Sequence, residues 1–79
     1  MRVTILPAEN VIFIDGQGKA LNGEFLNQRQ VSIINWYDHH GEIKYVNGTS
    51  RTIGDIKRQQ PDGWSLQNLI DMAKPFGGN

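Results

Sequence analysis

Two strand-like runs separated by a short polar turn constrain this chain more than any other feature. Val31-Ser32-Ile33-Ile34-Asn35-Trp36-Tyr37-Asp38 is rich in β-branched and aromatic residues, and Glu42-Ile43-Lys44-Tyr45-Val46 follows it closely. A two-residue turn at His39-His40 or at His40-Gly41 pairs even positions with odd ones. Either register sets Ile34 and Trp36 on one face with Ile43 and Tyr45. The other face then carries Ile33, Asn35 and Tyr37 beside Glu42, Lys44 and Val46. A three-residue turn would put Trp36 beside Lys44 and mix the faces, so the hydrophobic pattern disfavours that slip.

The flanking segments add strands. Val3-Thr4-Ile5-Leu6 is β-branched and stopped by Pro7, and Val11-Ile12-Phe13-Ile14 is apolar on both faces and reads as a buried strand. Asp15-Gly16-Gln17-Gly18 reads as a turn, because two of its residues tolerate positive φ, and Lys19-Ala20-Leu21 returns as a short strand. Residues 22–30 are polar apart from Phe25 and Leu26, which read as plugs at the core edge. Asn47-Gly48 is a type I′ hairpin signal that brings residues 49–53 back as a charged edge strand, with Arg51 opposite Lys44. Thr52-Ile53-Gly54-Asp55 also fits a capping box, so a helical turn over 53–59 competes with the strand.

The last element is a helix over 65–74. Ser65 is a good N-cap, and Leu66, Leu69, Ile70 and Ala73 share one helical face. Trp64 sits where a hydrophobic staple to Leu69 would form, and Pro75 ends the helix. At about 15 Å it is too short to be stable alone and must dock, and the apolar face of the 31–46 hairpin is its natural dock. The expected fold is α+β: a small antiparallel sheet of four or five strands joined as meander hairpins, with one C-terminal helix packed on one face. Residues 1–74 form one β-rich domain, and 75–79 form a flexible end, with a Phe76 tucked back onto the domain as the alternative for that residue.

Composition narrows the function classes. With 79 residues the core is small and holds one domain. Eight basic and eight acidic residues give zero net charge. That weighs against a non-specific nucleic-acid binder and against a polybasic membrane anchor. No apolar run approaches the roughly 20 residues of a membrane span, and no basic segment leads into an apolar one as in a secretory signal. The absence of Cys excludes disulfides, thiolate zinc sites and iron–sulfur clusters. Seven Asn and six Gln make the surface rich in amides, which suits hydrogen-bonded contacts with proteins or sugars.

Candidate chemistry is sparse. His39-His40 has no third His to complete a metal site, and adjacent turn residues point apart, so no metal is expected. Ser32, Ser50 and Ser65 read as strand, turn and cap residues. Asp38 and Glu42 flank an exposed turn that would not shift their pKa values far. No phosphate-binding loop is present, and no catalytic site or cofactor is expected. Asn47-Gly48-Thr49 matches a glycosylation acceptor but reads as a turn, and Lys57-Arg58-Gln59-Gln60 reads as a solvated basic patch. The aromatic residues say more. Trp36, Tyr45 and Trp64 suit the core under the helix, which leaves Tyr37 on the opposite face near Ile33 and Val46, rimmed by Asn35, Glu42 and Lys44. Rimmed apolar patches of this kind mark interfaces unless another element covers them, and the N-terminal strands are the competing cover.

Val3-Thr4-Ile5-Leu6-Pro7, Val11-Ile12-Phe13-Ile14-Asp15-Gly16, Asn35-Trp36-Tyr37-Asp38 and Gly41-Glu42-Ile43-Lys44-Tyr45-Val46-Asn47-Gly48 together resemble small proteins encoded near the tail-fibre genes of tailed bacteriophages and prophages. The resemblance spans residues 1–48 and carries no catalytic signature. It implies a phage origin and a tail-related or accessory role, with Asp15-Gly16 and the Trp36 to Gly41-Glu42 spacing serving structure.

The expected function is protein–protein association without catalysis, as a phage structural or tail-assembly accessory protein. Its contact residues would be Ile33, Asn35, Tyr37, Glu42, Lys44 and Val46. The partner would be a phage tail component, a host protein or a second copy, with no nucleic acid, membrane or cofactor involved. The place of action would be the host bacterial cytoplasm or the virion. The alternatives are a soluble phage protein that inhibits a host factor and a minor carbohydrate-binding module using Tyr37 and nearby amides.

Overall fold

The alternation along residues 31–46 sets the centre of a single sheet, seen in a computed structural model that describes residues 1–22, 26 and 30–76. The strands are β1 (Arg2–Leu6), β2 (Val11–Ile14), β3 (Gln17–Ala20), β4 (Val31–Tyr37), β5 (His40–Tyr45) and β6 (Ser50–Ile53). They form a six-stranded sheet in the order β3-β2-β1-β4-β5-β6, every neighbouring pair antiparallel. Two three-stranded meanders are thus joined where β1 pairs with β4. Four or five strands were expected, but both weakly patterned edge segments are strands. Each is held by its neighbour's ladder more than by its own composition, which is the usual condition of an edge.

One face of the sheet is dry. Val3 and Ile5 of β1, Ile12 of β2, Ile34 and Trp36 of β4, Ile43 of β5 and Ile53 of β6 are buried together. Helix α1 (Leu66–Met72) covers this face with Leu66 and Leu69, and Trp64, Leu21 and Leu26 complete the cluster. Phe25, expected to plug the same edge, lies outside the described residues. Ser65 caps α1, its hydroxyl accepting from the Asn68 N–H at 3.2 Å. The expected span of 65–74 is shorter in fact, because Ala73 is already extended at ψ 139°. Pro75 favours that extension in Lys74 as well. Lys74 then pairs with Ala20 through two backbone hydrogen bonds of 2.8 and 2.9 Å, covering the last residue of β3 on its outer edge. Phe76, placed in the expected flexible end, rests against Phe13 and Gly18. A methyl on Gly18 would stand 3.0 Å from the Phe76 ring, whereas 77–79 lie outside the described residues.

The turns decide the registers. Asp15 and Gly16 both take positive φ, so they form a two-residue hairpin turn and release Gln17 and Gly18 into β3. The β4–β5 turn is Asp38-His39, not the expected His39-His40 or His40-Gly41, because Tyr37 already pairs with His40. Even still meets odd, so Ile34 and Trp36 keep the helix side with Ile43 and Tyr45. A bulge at Ser32 lets Val31 join that side too.

Asn47-Gly48 turns the chain within a three-residue loop, Val46 to Gly48, in which Gly48 alone has positive φ. Asn47 Oδ1 accepts from the N–H and the hydroxyl of Thr49 at 3.0 and 2.7 Å. Ser50 therefore stands opposite Lys44, correcting the expected Arg51, which pairs with Ile43. The physical reason is Ile53. A type I′ turn would slip β6 by one residue and expose Ile53, whose burial is worth about 1.5–3 kcal/mol. The alternative helical turn over 53–59 reduces to one turn at Asp55, whose carboxylate accepts from the Lys57 N–H at 2.9 Å.

Trp36 crosses the cross-strand position of Gly41, where a methyl group would stand 2.8 Å from both the Trp36 backbone and its indole ring. Trp36→Ala should lower stability by about 3–5 kcal/mol. Gly41→Ala should lower it by about 1–3 kcal/mol through overpacking. Urea denaturation measures both, and an unchanged midpoint for Gly41→Ala would mean that the β4 backbone at Asn35 and Trp36, which the methyl meets as well as the indole, can shift to admit it.

Candidate functional site

The second face of the sheet is the site that the fold leaves open, apart from its β2–β3 end, where Phe76 lies beside Gly18. The N-terminal strands do not cover it. They pair edge to edge with β4 and extend it. Successive partners make one row across the sheet: Gly18, Phe13, Thr4, Asn35, Glu42 and Thr52. A shorter row beside it runs Arg2, Tyr37, His40. Alternation puts Ile33 and Lys44 in the next row, again as direct partners.

Of the residues expected at a contact surface, Ile33, Asn35, Tyr37, Glu42 and Lys44 share this face. Val46 lies one residue beyond β5. Its N–H is tied to the Gln30 carbonyl at 3.0 Å, and it is 65% exposed. Phe13 was read as buried on both faces but is 37% exposed, because the alternation that buries Ile12 turns its neighbour outward. Phe13, Arg2, Thr4 and Thr52 extend the face well beyond the central ribbon. Arg2 and Thr4 were signalled by the alternation of Arg2-Val3-Thr4-Ile5, which shows its face only once β1 is placed beside β4.

Polar contacts fix the face. The Thr4 hydroxyl donates to Asn35 Oδ1 at 3.0 Å. The Arg2 guanidinium sits 5.0 Å from the centre of the Tyr37 ring, a cation–π contact that holds the ring at the surface. Lys44 and Glu42 lie 3.8 Å apart on one strand and are too exposed to stabilise much. Two shallow depressions flank Arg2. One, of about 570 Å³, is lined by Asn35, Tyr37, His40, Glu42 and Lys44. The other, of about 270 Å³, is lined by Thr4, Phe13 and Gly16. Hydroxyl, amide, guanidinium, carboxylate and aromatic groups thus alternate over one surface, which suits hydrogen bonding and stacking with a partner surface.

The histidines part company: His40 faces the open side, and His39 sits in the turn. Among the described residues no three His, Cys, Asp or Glu side chains gather as metal ligands. No helix among them is long and apolar enough to cross a membrane. Ser65 is spent as a cap. Comparisons with protein-family models, with curated proteins and with solved structures gave no match.

One ion pair borders the face. The Met1 ammonium donates to the Asp38 carboxylate, and the Asp38 N–H donates to the Met1 carbonyl at 2.9 Å, so the chain start is clamped to the β4–β5 turn. The hydrogen bond from the ammonium, then its charge, holds the Asp38 carboxyl below its ordinary value of 3.8. The same hydrogen bond raises the ammonium above its ordinary 8.0. A lowered carboxyl stabilises the fold above its ordinary value and stops doing so as pH falls through the lowered one. A raised ammonium stabilises below its ordinary value and stops as pH rises through the raised one. Asp38→Asn, which keeps a residue tolerant of the positive φ at this position, should therefore be slightly less stable than the parent between about pH 4 and 8. The two denaturation midpoints should converge on either side of that range. A gap constant from pH 2 to pH 10 would assign the effect to the turn and not to the charges.

Proposed function

We propose that the chain acts by protein–protein association through the open sheet face, as a phage or prophage structural or tail-assembly accessory protein that performs no catalysis. The observation that supports this most directly is the extent of the face. Strands from both meanders contribute to it, and Phe13 and Tyr37 stand 37% and 44% exposed among Thr, Asn, Glu and Lys side chains. Aromatic rings half-exposed within a polar surface are a composition that protein interfaces favour. The mixed signs of Arg2, Lys44 and Glu42 suit a protein surface better than a uniformly charged polymer or bilayer. On the resemblance read from residues 1–48, the partner in this proposal is a tail component. The place of action is then the bacterial cytoplasm during assembly, or the particle itself.

The Tyr37 ring tests the reading. Tyr37→Ala should weaken association at least about tenfold while leaving the urea midpoint nearly unchanged, since truncating an aromatic at an interface centre commonly costs 2 kcal/mol or more of binding. Association is followed by light scattering for the chain alone and by co-purification with phage particles. Equal loss of folding in Tyr37→Ala and Trp36→Ala would remove the assigned facing. Capture of one host protein, with no enrichment on particles, would replace the assembly role with inhibition of a host factor.

A further inference from the structure

A second site lies at the free edge of β6, where Thr52 borders both it and the open face. Arg51 and Arg58 line one depression of about 350 Å³ with Thr52, Gln59, Gln60 and Pro61, and no acidic side chain lines it. We propose that this depression binds a phosphate group carrying two negative charges. The three-residue loop before β6 creates the site. It turns Arg51 away from Lys44 and onto the side of the sheet where the chain returns through Arg58.

No described residue engages either guanidinium. Among the described residues Arg51 and Arg58 donate no side-chain hydrogen bond and form no ion pair, and the Arg51 Nε–H is buried with no acceptor. The nearest acid in sequence, Asp55, is occupied as a turn former by the Lys57 N–H. Gln59 and Gln60 direct their amide groups at the Gly63 and Arg58 carbonyls, at 3.2 and 3.4 Å. The strand edge adds a donor. Tyr45 and Thr49 are a hydrogen-bonded pair, so alternation leaves the Thr52 N–H pointing away from β5, and β6 has no further strand beside it. Two planar cations and an outward N–H therefore border one hollow in a chain of zero net charge. A carboxylate would neutralise one of the arginines. A phosphate dianion matches both and accepts several charge-assisted hydrogen bonds.

The test is a titration of the full-length, ¹⁵N-labelled protein at pH 7.5 with inorganic phosphate and, separately, with O-phosphoserine, against chloride at equal ionic strength. Both phosphates should give saturable shifts of the Arg51 and Arg58 Nε–H signals and of the Thr52 amide, and chloride should not. Tighter binding of O-phosphoserine names a phosphomonoester as the natural group, and tighter binding of inorganic phosphate names the free ion. Arg58→Gln, an exposed position whose backbone spectrum reports the fold directly, should weaken binding about tenfold or more. Lys19→Gln, which removes the same charge from the opposite edge of the sheet, should not. Shifts that are linear in concentration, equal with chloride, or unchanged in Arg58→Gln would overturn the proposal.

Discussion

The seam between β1 and β4 is the contact on which the rest of the molecule depends. Val3 faces Trp36 and Ile5 faces Ile34 across it, joining residues about 30 positions apart. Without it the chain is two three-stranded ribbons, each with one apolar side and no partner for it, and such ribbons are barely stable in water. With it the apolar sides merge into one surface broad enough to seat a seven-residue helix. The entropy of closing the intervening loop is offset only when those side chains are buried together. The seam therefore forms with the core or not at all. The open face is a by-product of the same seam, since the alternation that buries Val3, Ile5, Ile34 and Trp36 turns Thr4, Asn35 and Tyr37 outward.

Legibility in the sequence followed the strength of local patterns. The faces of β4 and β5 could be read because a slip of one residue would bury Lys44 or expose Trp36. The helix could be read because Ser65, the Leu66-Leu69-Ile70 spacing and Pro75 agree with one another. The register of β6 could not. Asn-Gly suits a two-residue turn, and local preference pointed there, but Ile53 reaches the core only if Val46 joins the loop. The burial of one side chain outweighed the turn preference. Phe13 was misplaced for a related reason. A strand that is apolar throughout carries no mark of which side is wet until its neighbours are known.

The candidate contact surface shows the same division. Its central residues were visible from a single hairpin, because two strands with a known turn parity define their own faces. Its breadth was not, because Arg2, Thr4 and Phe13 belong to it only through pairings between strands distant in the chain. The arginine hollow beside β6 was hidden more completely. It depends on the unforeseen loop that moves Arg51, and on the chain's return path through Arg58, neither of which leaves a periodic trace.

The bridge between Ala20 and Lys74 has a consequence for assembly. It ties up the outward N–H and C=O of Ala20 with the chain's own Lys74, so a strand arriving at the β3 margin finds that end of the ladder taken, whereas no strand lies beside β6. Ladder-to-ladder growth requires two accepting margins per molecule. With one of the two partly taken by the chain itself, such growth is disfavoured at that margin.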